Sequence, residues 1–199
     1  WQNVSRMFEN KTNLIVTATD APDLSGITSL SGMFDGCTSL TGDFSGWDVS
    51  TITSLSGMFR DASSFNSDLS TWNVSNVNAM FETFQGASSF NADLSGWTTT
   101  SLTNARGTFE NATAFNSDIS GWDMSGVTLA DRMFSGATAF NQDLSSWDLS
   151  SATNLSEMFK GATSFNQDLT WTLGSVTNLS SMIEDATVFN GDVTSWNVS

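Results

Sequence analysis

The sequence predicts a repeat solenoid, a right-handed parallel stack with about 25 residues per coil. Tryptophan recurs at intervals of 25, 25, 25, 25, 24 and 25 residues, at Trp47, Trp72, Trp97, Trp122, Trp147, Trp171 and Trp196. Apolar residues stand at fixed offsets from each Trp, and Asn and Asp stand at others. Stacked units of one kind produce such columns, because each unit buries its apolar side against its neighbours.

The segment around each Trp is predicted to be a short strand. Apolar residues stand three before and two after the Trp, as in Leu69, Trp72 and Val74. This L-x-x-W-x-V spacing resembles the L-x-x-L-x-L strand of leucine-rich repeats, whose apolar side chains point inward. We therefore predict a leucine-rich-repeat-like solenoid with one short strand per coil.

The opposite flank is predicted to be a short helix or a run of 3₁₀ turns. With each Trp as position 0, apolar or small residues stand at positions 5, 8, 11, 12 and 15. Steps of three and four residues are typical of a helical face. A Phe column follows at position 18, and then Asn and Asp turn the corner into the next coil.

The aromatic and Met columns are interpreted as core rather than as a ligand site. Nearly all of the 15 Phe and 8 Trp stand in inward columns, where rings of adjacent coils stack. Met fills irregular gaps in such cores. Phe81 is the exception, because it stands at position 9, where other coils carry polar residues, and it is predicted to be exposed.

The whole chain, 1–199, is predicted to be one solenoid domain, with atypical first coils at 1–46 and regular repeats at 47–199. Pro22 stands where a Trp would be expected, which suits an edge coil because proline lacks a backbone donor. No polar cap follows the last strand. We expect the array to continue past residue 199, or another chain to cover that end.

Composition excludes several classes of function. The chain carries 21 acidic and 6 basic residues, so it repels nucleic acid and anionic lipid. No apolar stretch is long enough for a membrane span. There is no His, which removes the commonest general base and zinc ligand, and Cys37 is the single thiol. No cofactor is predicted, and the six cations are too scattered along the chain to indicate a phosphate site.

Two family resemblances rest on quoted segments. SLSGMFDGCTSL at 29–40 resembles the Treponema-type, BspA-like leucine-rich repeats. The unit at 140–169, FNQDLSSWDLSSATNLSEMFKGATSFNQDL, is still more similar to a repeat of unknown function first described in mycoplasma surface lipoproteins. Both resemblances imply surface-exposed or secreted proteins with a proposed role in adhesion, and neither defines catalytic residues. Cys37 matches the BspA-like Cys, and Ala replaces it in later coils, which favours a small buried structural role.

The outward positions of the predicted strands form the candidate binding face. Their representatives are Asp48, Asn73, Asp123 and Asp148, with Phe81 as a second patch. The face is acidic and rich in hydroxyl groups, and it lacks the aromatic and Arg anchors of tight protein interfaces. Binding there is expected to be weak per coil and to gain strength by repetition.

An Asp column before each Trp has two interpretations. Turn hydrogen bonds to backbone N–H groups are favoured. Calcium sites are the alternative, because calcium takes carboxylate and amide oxygens, but the fuller ligand spacing of a calcium loop is missing. The residues concerned include Asp68, Asp93, Asp118, Asp143 and Asp168.

Glycosylation would apply only to a eukaryotic secretory protein. Of the N-x-[ST] triplets, those at Asn73, Asn154, Asn178 and Asn197 fall at predicted outward positions.

The sequence therefore predicts a non-enzymatic, extracellular or cell-surface repeat module that binds protein or glycan and serves adhesion. The alternative is a structural stalk or filament that self-associates by end-to-end or lateral stacking. An enzyme is disfavoured, because a catalytic site needs one coil to differ chemically from its neighbours, and these coils differ mostly by exchange of Ser, Thr, Asp and Asn.

Overall fold

The computed structural model describes residues 3–18 and 20–196, and successive repeats in it lie side by side in parallel. Position 7 of each repeat forms a parallel β-bridge with position 7 of the next, through Ser29, Ser54, Ala79, Asn104, Leu129, Asn154 and Asn178. Two short strands, β1 (Ile15–Val16) and β2 (Thr41–Gly42), pair in parallel with Ile15 opposite Thr41. Residues that are one repeat apart in the sequence therefore lie next to each other in space.

The aromatic columns form a continuous buried core. Trp72 and Trp97 stack with centroids 6.4 Å apart, and Phe59 and Phe84 with centroids 5.6 Å apart. Within a repeat, Phe59 also stacks on Phe65 at 4.0 Å. The predicted core columns are confirmed, since the Trp residues from Trp47 to Trp171 are at most 8% exposed. Such stacked rings bury large apolar areas and make further aromatic contacts.

Each Trp from Trp72 to Trp196 also makes a polar contact with the preceding repeat. The indole N–H of Trp72 donates to the backbone carbonyl of Phe44 at 2.9 Å, and that of Trp97 donates to Leu69 at 3.0 Å. The same bond recurs down to Trp196 and Leu169. Buried indole N–H groups need such partners. The column is therefore joined by hydrogen bonds as well as by stacking.

The strand predicted around each Trp does not form there in the described residues. The parallel β-bridge of each repeat lies at position 7 instead. The segment consists of two consecutive turns: Trp72 N–H donates to Leu69 O at 3.0 Å, and Val77 N–H donates to Val74 O at 2.9 Å. Polar side chains satisfy the intervening backbone N–H groups. The inward apolar residues were identified correctly because two turns and a strand can place them on the same side.

The flank predicted to be a short helix or a run of 3₁₀ turns is a run of turns at positions 8–14 in the described residues, with i+3 to i hydrogen bonds such as Met58 N–H to Leu55 O at 2.9 Å. Alternate N–H groups donate to the next repeat, as Gly57 to Phe81 O at 2.8 Å and Phe59 to Thr83 O at 2.9 Å. Positions 10 and 14 take left-handed backbone, with φ of 61° at Gly57 and 55° at Asp61. Left-handed residues interrupt a right-handed helix. This alternation turns N–H groups toward the neighbouring repeat instead.

Position 14 shows why glycine alternates with side chains along the stack. A Cβ placed on Gly86 would overlap the carboxylate of Asp61 in the preceding repeat, and one on Gly136 would overlap the amide oxygen of Asn111. Gly161, which follows Gly136, has free space instead, since the nearest atom to its Cβ position is 3.8 Å away. A side chain at this position therefore requires glycine in the repeat that follows.

Candidate functional site

The Asp column at position 21 makes the turn hydrogen bonds that the sequence favoured. The side chain of Asp68 accepts from Ser70 N–H at 2.8 Å, and that of Asp93 accepts from Ser95 N–H at 2.9 Å. Asp168 differs because the following Trp comes one residue earlier, and its carboxylate accepts from Asp192 N–H. Short polar side chains commonly stabilise turns in this way.

The predicted binding residues lie on the same side of the molecule, but on turns rather than strands. Asp48 accepts from Ser50 N–H at 3.0 Å, Asn73 from Ser75 at 3.2 Å, Asp123 from Ser125 at 3.0 Å and Asp148 from Ser150 at 2.9 Å. Asp123 is half-buried and the other three are exposed. The side chains at position 1 therefore stabilise turns, a structural role that the sequence prediction did not assign to them.

We call the two acidic columns that flank Trp, at positions 21 and 1, the turn face. It carries ten carboxylates, and none of them takes part in an ion pair among the described residues. Its members are Asp43, Asp48, Asp68, Asp93, Asp118, Asp123, Asp143, Asp148, Asp168 and Asp192. The turn face therefore presents a row of uncompensated negative charge.

Hydrogen bonds keep the turn face ionised. The backbone N–H of Ser70 lowers the pKa of Asp68 below its ordinary value of 3.8, and Ser95 does the same for Asp93. At Asp48 and Asp123 the serine hydroxyl has the larger effect, followed by the backbone N–H. Donors to the charged form favour it. These carboxylates are negative at neutral pH in spite of their proximity.

An Asn column at position 19 borders the turn face. Asn91 N–H donates to the side-chain oxygen of Asn66 at 2.8 Å, and Asn116 N–H donates to that of Asn91 at 2.7 Å. The pattern continues to Asn190. Each amide thereby satisfies a backbone donor of the next repeat, so this column holds adjacent repeats in register.

The sequence prediction missed a second polar surface, formed by positions 9, 10 and 13, which we call the charged flank. Arg60 pairs with Asp35 in the preceding repeat and, at 3.0 Å, with Glu82 in the following one. Arg132 lies 3.5 Å from Glu110 and 3.8 Å from Asp131. In the sequence the cations are far apart, and their relation to these acids becomes evident only when residues are aligned by position within the repeat.

Buried carboxylates depend on these cations. Asp35 and Asp131 are 6% and 5% exposed, and Arg106 Nε lies 2.9 Å from Asp131 Oδ2. The Arg106 N–H is not directed along that line, so the contact is an ion pair without a good hydrogen bond. Burial raises the pKa of Glu110, against the effect of Arg132. Unlike the turn face, the charged flank neutralises most of its acids with nearby cations.

Phe81 lies on the charged flank, so the predicted second patch is separate from the turn face. The prediction that it is exposed is wrong: the ring is half-buried, and the Arg106 guanidinium carbon lies 5.7 Å from its centroid. A cation over an aromatic face is attracted by the ring quadrupole. Phe81 thus supports the position of Arg106.

The structure gives little basis for the predicted metal sites and places only some of the predicted glycosylation residues at the surface. Within 3–18 and 20–196, no three carboxylate or thiol groups converge to hold a metal ion. Of the predicted glycosylation residues, Asn73 and Asn178 are exposed and Asn154 is half-buried on the bridge row. Asn197 lies outside the described residues.

A cavity of about 530 Å³ that is partly open to solvent lies at the first repeats. Its lining includes Phe8, Phe34 and Trp47, with Asp20 and Asp23 among its polar groups. Pro22, also in the lining, occupies the Trp column, so one indole of the stack is missing there. The sequence shows Pro in place of Trp at this position, whereas the gap in packing follows only from the structure.

Cys37 is buried and its thiol donates to the carbonyl of Phe8 at 3.0 Å. Desolvation raises its pKa, so the thiolate is disfavoured. This environment fits a structural residue.

None of the described segments forms a helix with the length and apolar character needed to cross a bilayer. No curated protein matches the chain. The sequence model of one family matches twice, over residues 2–122 and 106–199, and so spans nearly the whole sequence. The chain belongs to that family, which is described as "Mycoplasma protein of unknown function, DUF285".

Proposed function

We propose that this chain is a non-enzymatic repeat module, secreted or displayed at a cell surface, that binds a basic segment of a protein through its turn face. In this proposal the repeats form a right-handed parallel solenoid, related to the BspA-like surface repeats. The observation that carries the proposal is the segregation of charge. Among the described residues, ten carboxylates occupy the turn face without a paired cation, whereas most acids of the charged flank, such as Asp35, Glu82 and Asp131, have Arg or Lys partners.

The regular spacing of the turn face supports recognition by repetition. Each carboxylate is fixed by its own turn, as Asp93 is by Ser95 and Asp148 is by Ser150. Fixed charges lose little conformational freedom on binding, which favours affinity. An extended partner with several Lys or Arg side chains could contact successive repeats, and weak contacts would then add up.

The test is the binding of an oligo-lysine peptide to the chain, measured by calorimetry at low and high salt. The variant Asp48→Asn, Asp123→Asn, Asp148→Asn removes three charges and retains the side-chain oxygen of each turn. We expect weaker binding and a smaller salt dependence. The matched control Glu9→Gln, Glu157→Gln, Asp185→Asn removes three charges elsewhere and should retain most of the binding.

Equal loss of binding in the two variants would contradict the proposal, because only net charge would then matter. A partner whose binding is insensitive to salt, such as a neutral glycan, would shift the assignment from the carboxylates to the hydroxyl groups of the same face.

A further inference from the structure

The charged flank contains a slot at the place where two successive repeats carry glycine at position 10. Its volume is about 150 Å³, and its lining includes Gly32, Gly57, Ser56, Asp35, Arg60 and Phe81. We call it the glycine slot. All other repeats but one carry a side chain at position 10, so two glycines follow each other nowhere else in this column.

The space above the second glycine is open. A Cβ placed on Gly57 would meet no atom closer than 4.0 Å, although its neighbours in the stack are in register. The repeats that form the slot each hydrogen-bond to a neighbour on both sides, as Gly32 N–H does to Ser56 O at 2.9 Å and Gly57 N–H does to Phe81 O at 2.8 Å. The slot is therefore a gap in the side-chain layer of a continuous backbone.

Phe81 bounds the slot on the side of the following repeat. Position 9 is serine in the two preceding repeats, and Phe81 is the one aromatic residue of this column. Arg106 of the following repeat lies over the ring, and the slot lies toward the preceding repeats. The face of an aromatic ring attracts weakly positive C–H groups. Phe81 thus offers an aromatic surface to a ligand in the slot.

A chain of serine hydroxyl groups ends in the slot with one hydrogen to spare. Ser29 Oγ lies 2.8 Å from Ser31 Oγ, which lies 2.9 Å from Ser54 Oγ. Ser54 donates to Ser56 Oγ at 3.2 Å. Because each hydroxyl group has a single hydrogen, Ser31 must donate to Ser54, and Ser29 to Ser31. The hydrogen of Ser56 is accepted by no described residue and is available to a ligand.

Arg60 supplies further donors without an unpaired charge. Its guanidinium has five N–H groups, of which one donates to Glu82 at 3.0 Å and two donate to Asp35. The other two have no acceptor among the described residues, and the side chain is 31% exposed. Arg6, which also lines the slot, lies 3.6 Å from Glu9. Each cation in the lining therefore has a carboxylate partner.

We propose that the glycine slot binds one ring of a neutral sugar. The C–H face of the sugar packs on Phe81, and its hydroxyl groups accept from Ser56 and from the two available N–H groups of Arg60. An anion is disfavoured because two carboxylates already neutralise Arg60, and a cation is disfavoured because two arginines line the slot. Pockets for drug-sized ligands measure about 300 to 1,000 Å³, so this smaller slot limits the ligand to a single ring.

This site goes beyond the function proposed above and does not depend on it. The glycine slot lies on the charged flank, so a sugar bound there leaves the turn face open to a basic partner. It is also the place where neighbouring repeats differ chemically, through the paired glycines and the aromatic residue, which is what a specific site in a repeat protein requires.

Ligand-observed saturation-transfer NMR with the methyl glycosides of glucose, galactose, mannose and N-acetylglucosamine tests the proposal. We expect at least one to bind with a Kd on the order of 1 mM, because a small, partly open slot buries little surface. Gly57→Asn should abolish binding by filling the slot, and asparagine tolerates the left-handed backbone there. The matched control Gly26→Asn makes the same change at φ of 77° in open space outside the lining and should leave binding unchanged.

Two smaller changes test the individual contacts. Phe81→Leu should weaken binding roughly five- to tenfold because the aromatic face is lost. Ser56→Ala should weaken it roughly three- to tenfold because a hydrogen bond is lost. Ser156→Ala removes a hydroxyl group at the same position of a distant repeat and should have no effect. The melting temperature of each variant establishes that the chain is folded.

No binding of any of the four glycosides at the highest soluble concentration would overturn the proposal, and so would binding that survives Gly57→Asn. Acetate and tetramethylammonium are the charged probes. If either binds the unmodified chain more tightly than the glycosides and is lost in Gly57→Asn, the slot selects charge and the sugar assignment is wrong. Oligo-lysine should bind Gly57→Asn and the unmodified chain equally, so the outcome at the slot is distinguished from the outcome at the turn face.

Discussion

The indole N–H of Trp122 donates a 3.2 Å hydrogen bond to the backbone carbonyl of Leu94, which also accepts the backbone N–H of Trp97 at 3.1 Å. The Leu94 carbonyl thus closes a turn within its own repeat and also binds the indole of the next repeat. Packing and polar contacts between repeats depend on the same side chain.

Trp122→Ala should lower the free energy of unfolding by about 3 to 5 kcal/mol, because a buried ring is lost and a cavity forms between its neighbours. Trp122→Phe should cost less, since it retains an aromatic ring and removes the N–H donor. Urea denaturation of the folded chain measures both. Trp196→Ala is the matched control: that residue is half-buried in the last described repeat and should cost less. Equal costs at Trp122 and Trp196 would contradict a stacked core.

Gly161→Ala should destabilise the chain by about 1 to 2 kcal/mol through left-handed strain alone, because φ is 68° and the Cβ has space. Gly136→Ala should cost more, since its Cβ would also overlap the amide oxygen of Asn111. Combining Gly136→Ala with Asn111→Gly should remove the additional cost. Thermal and urea unfolding of the three variants separate the cost of left-handed backbone strain from the cost of the Cβ overlap. An Asn111→Gly change that gives no relief would refute the stacking rule at position 14.

Arg60→Met should destabilise the chain by about 1 to 3 kcal/mol, because Asp35 would lose its cation while it stays buried. The Arg60 side chain is itself 31% exposed, which keeps the cost below that of a fully buried pair. Lys160→Met breaks the exposed pair with Glu184 and should have no measurable effect. Chemical denaturation compares the two variants, and similar values would mean that Asp35 is solvated after the change.

Calcium added after chelation should leave the melting temperature unchanged. The carboxylates of the Asp column already accept hydrogen bonds from turn N–H groups, as Asp118 does from Ser120. No three carboxylates of the described residues converge on one point. Calorimetry with and without calcium measures the effect. A large rise in melting temperature would mean that adjacent carboxylates rearrange to bind the ion.

The inward columns could be predicted because burial selects residue type at fixed positions. Trp72 and Phe59 are buried whether the surrounding backbone is a strand, a helix or a turn. The backbone itself could not be derived from the same pattern. Leu69, Trp72 and Val74 fit an extended segment, but polar residues beside them supply turn acceptors, and the turns form instead. Left-handed residues such as Glu82 give no distinctive signal in one sequence.

The candidate surfaces were predictable to different extents. Asp48 and Asp148 were identified as outward because they alternate with buried residues. The pairing of Arg60 with Asp35 and Glu82 was missed, since it joins three repeats and appears only when positions 10 and 13 are aligned across them.

Acid should destabilise the chain through the turn face. The folded pKa of Asp68, Asp93 and Asp118 lies below the ordinary value of 3.8 because Ser70, Ser95 and Ser120 donate to the carboxylates. The unfolded chain therefore binds protons first as the pH falls. The stabilising contribution is present above pH 3.8 and is lost as the pH drops below it, through the folded pKa. Glu110, whose pKa is raised, contributes with the opposite sign.

The triple variant Asp68→Asn, Asp93→Asn, Asp118→Asn separates titration from turn formation. Asn73 already forms the same turn with an amide oxygen, so the variant should fold normally at neutral pH. Its urea midpoint should fall less than that of the unmodified chain when the pH is lowered from neutral to below 3.8. Replacing the three residues with Ala should reduce stability at neutral pH as well, because the turn acceptor is lost. An acid sensitivity that is unchanged in the Asn variant would assign it to carboxylates outside these turns.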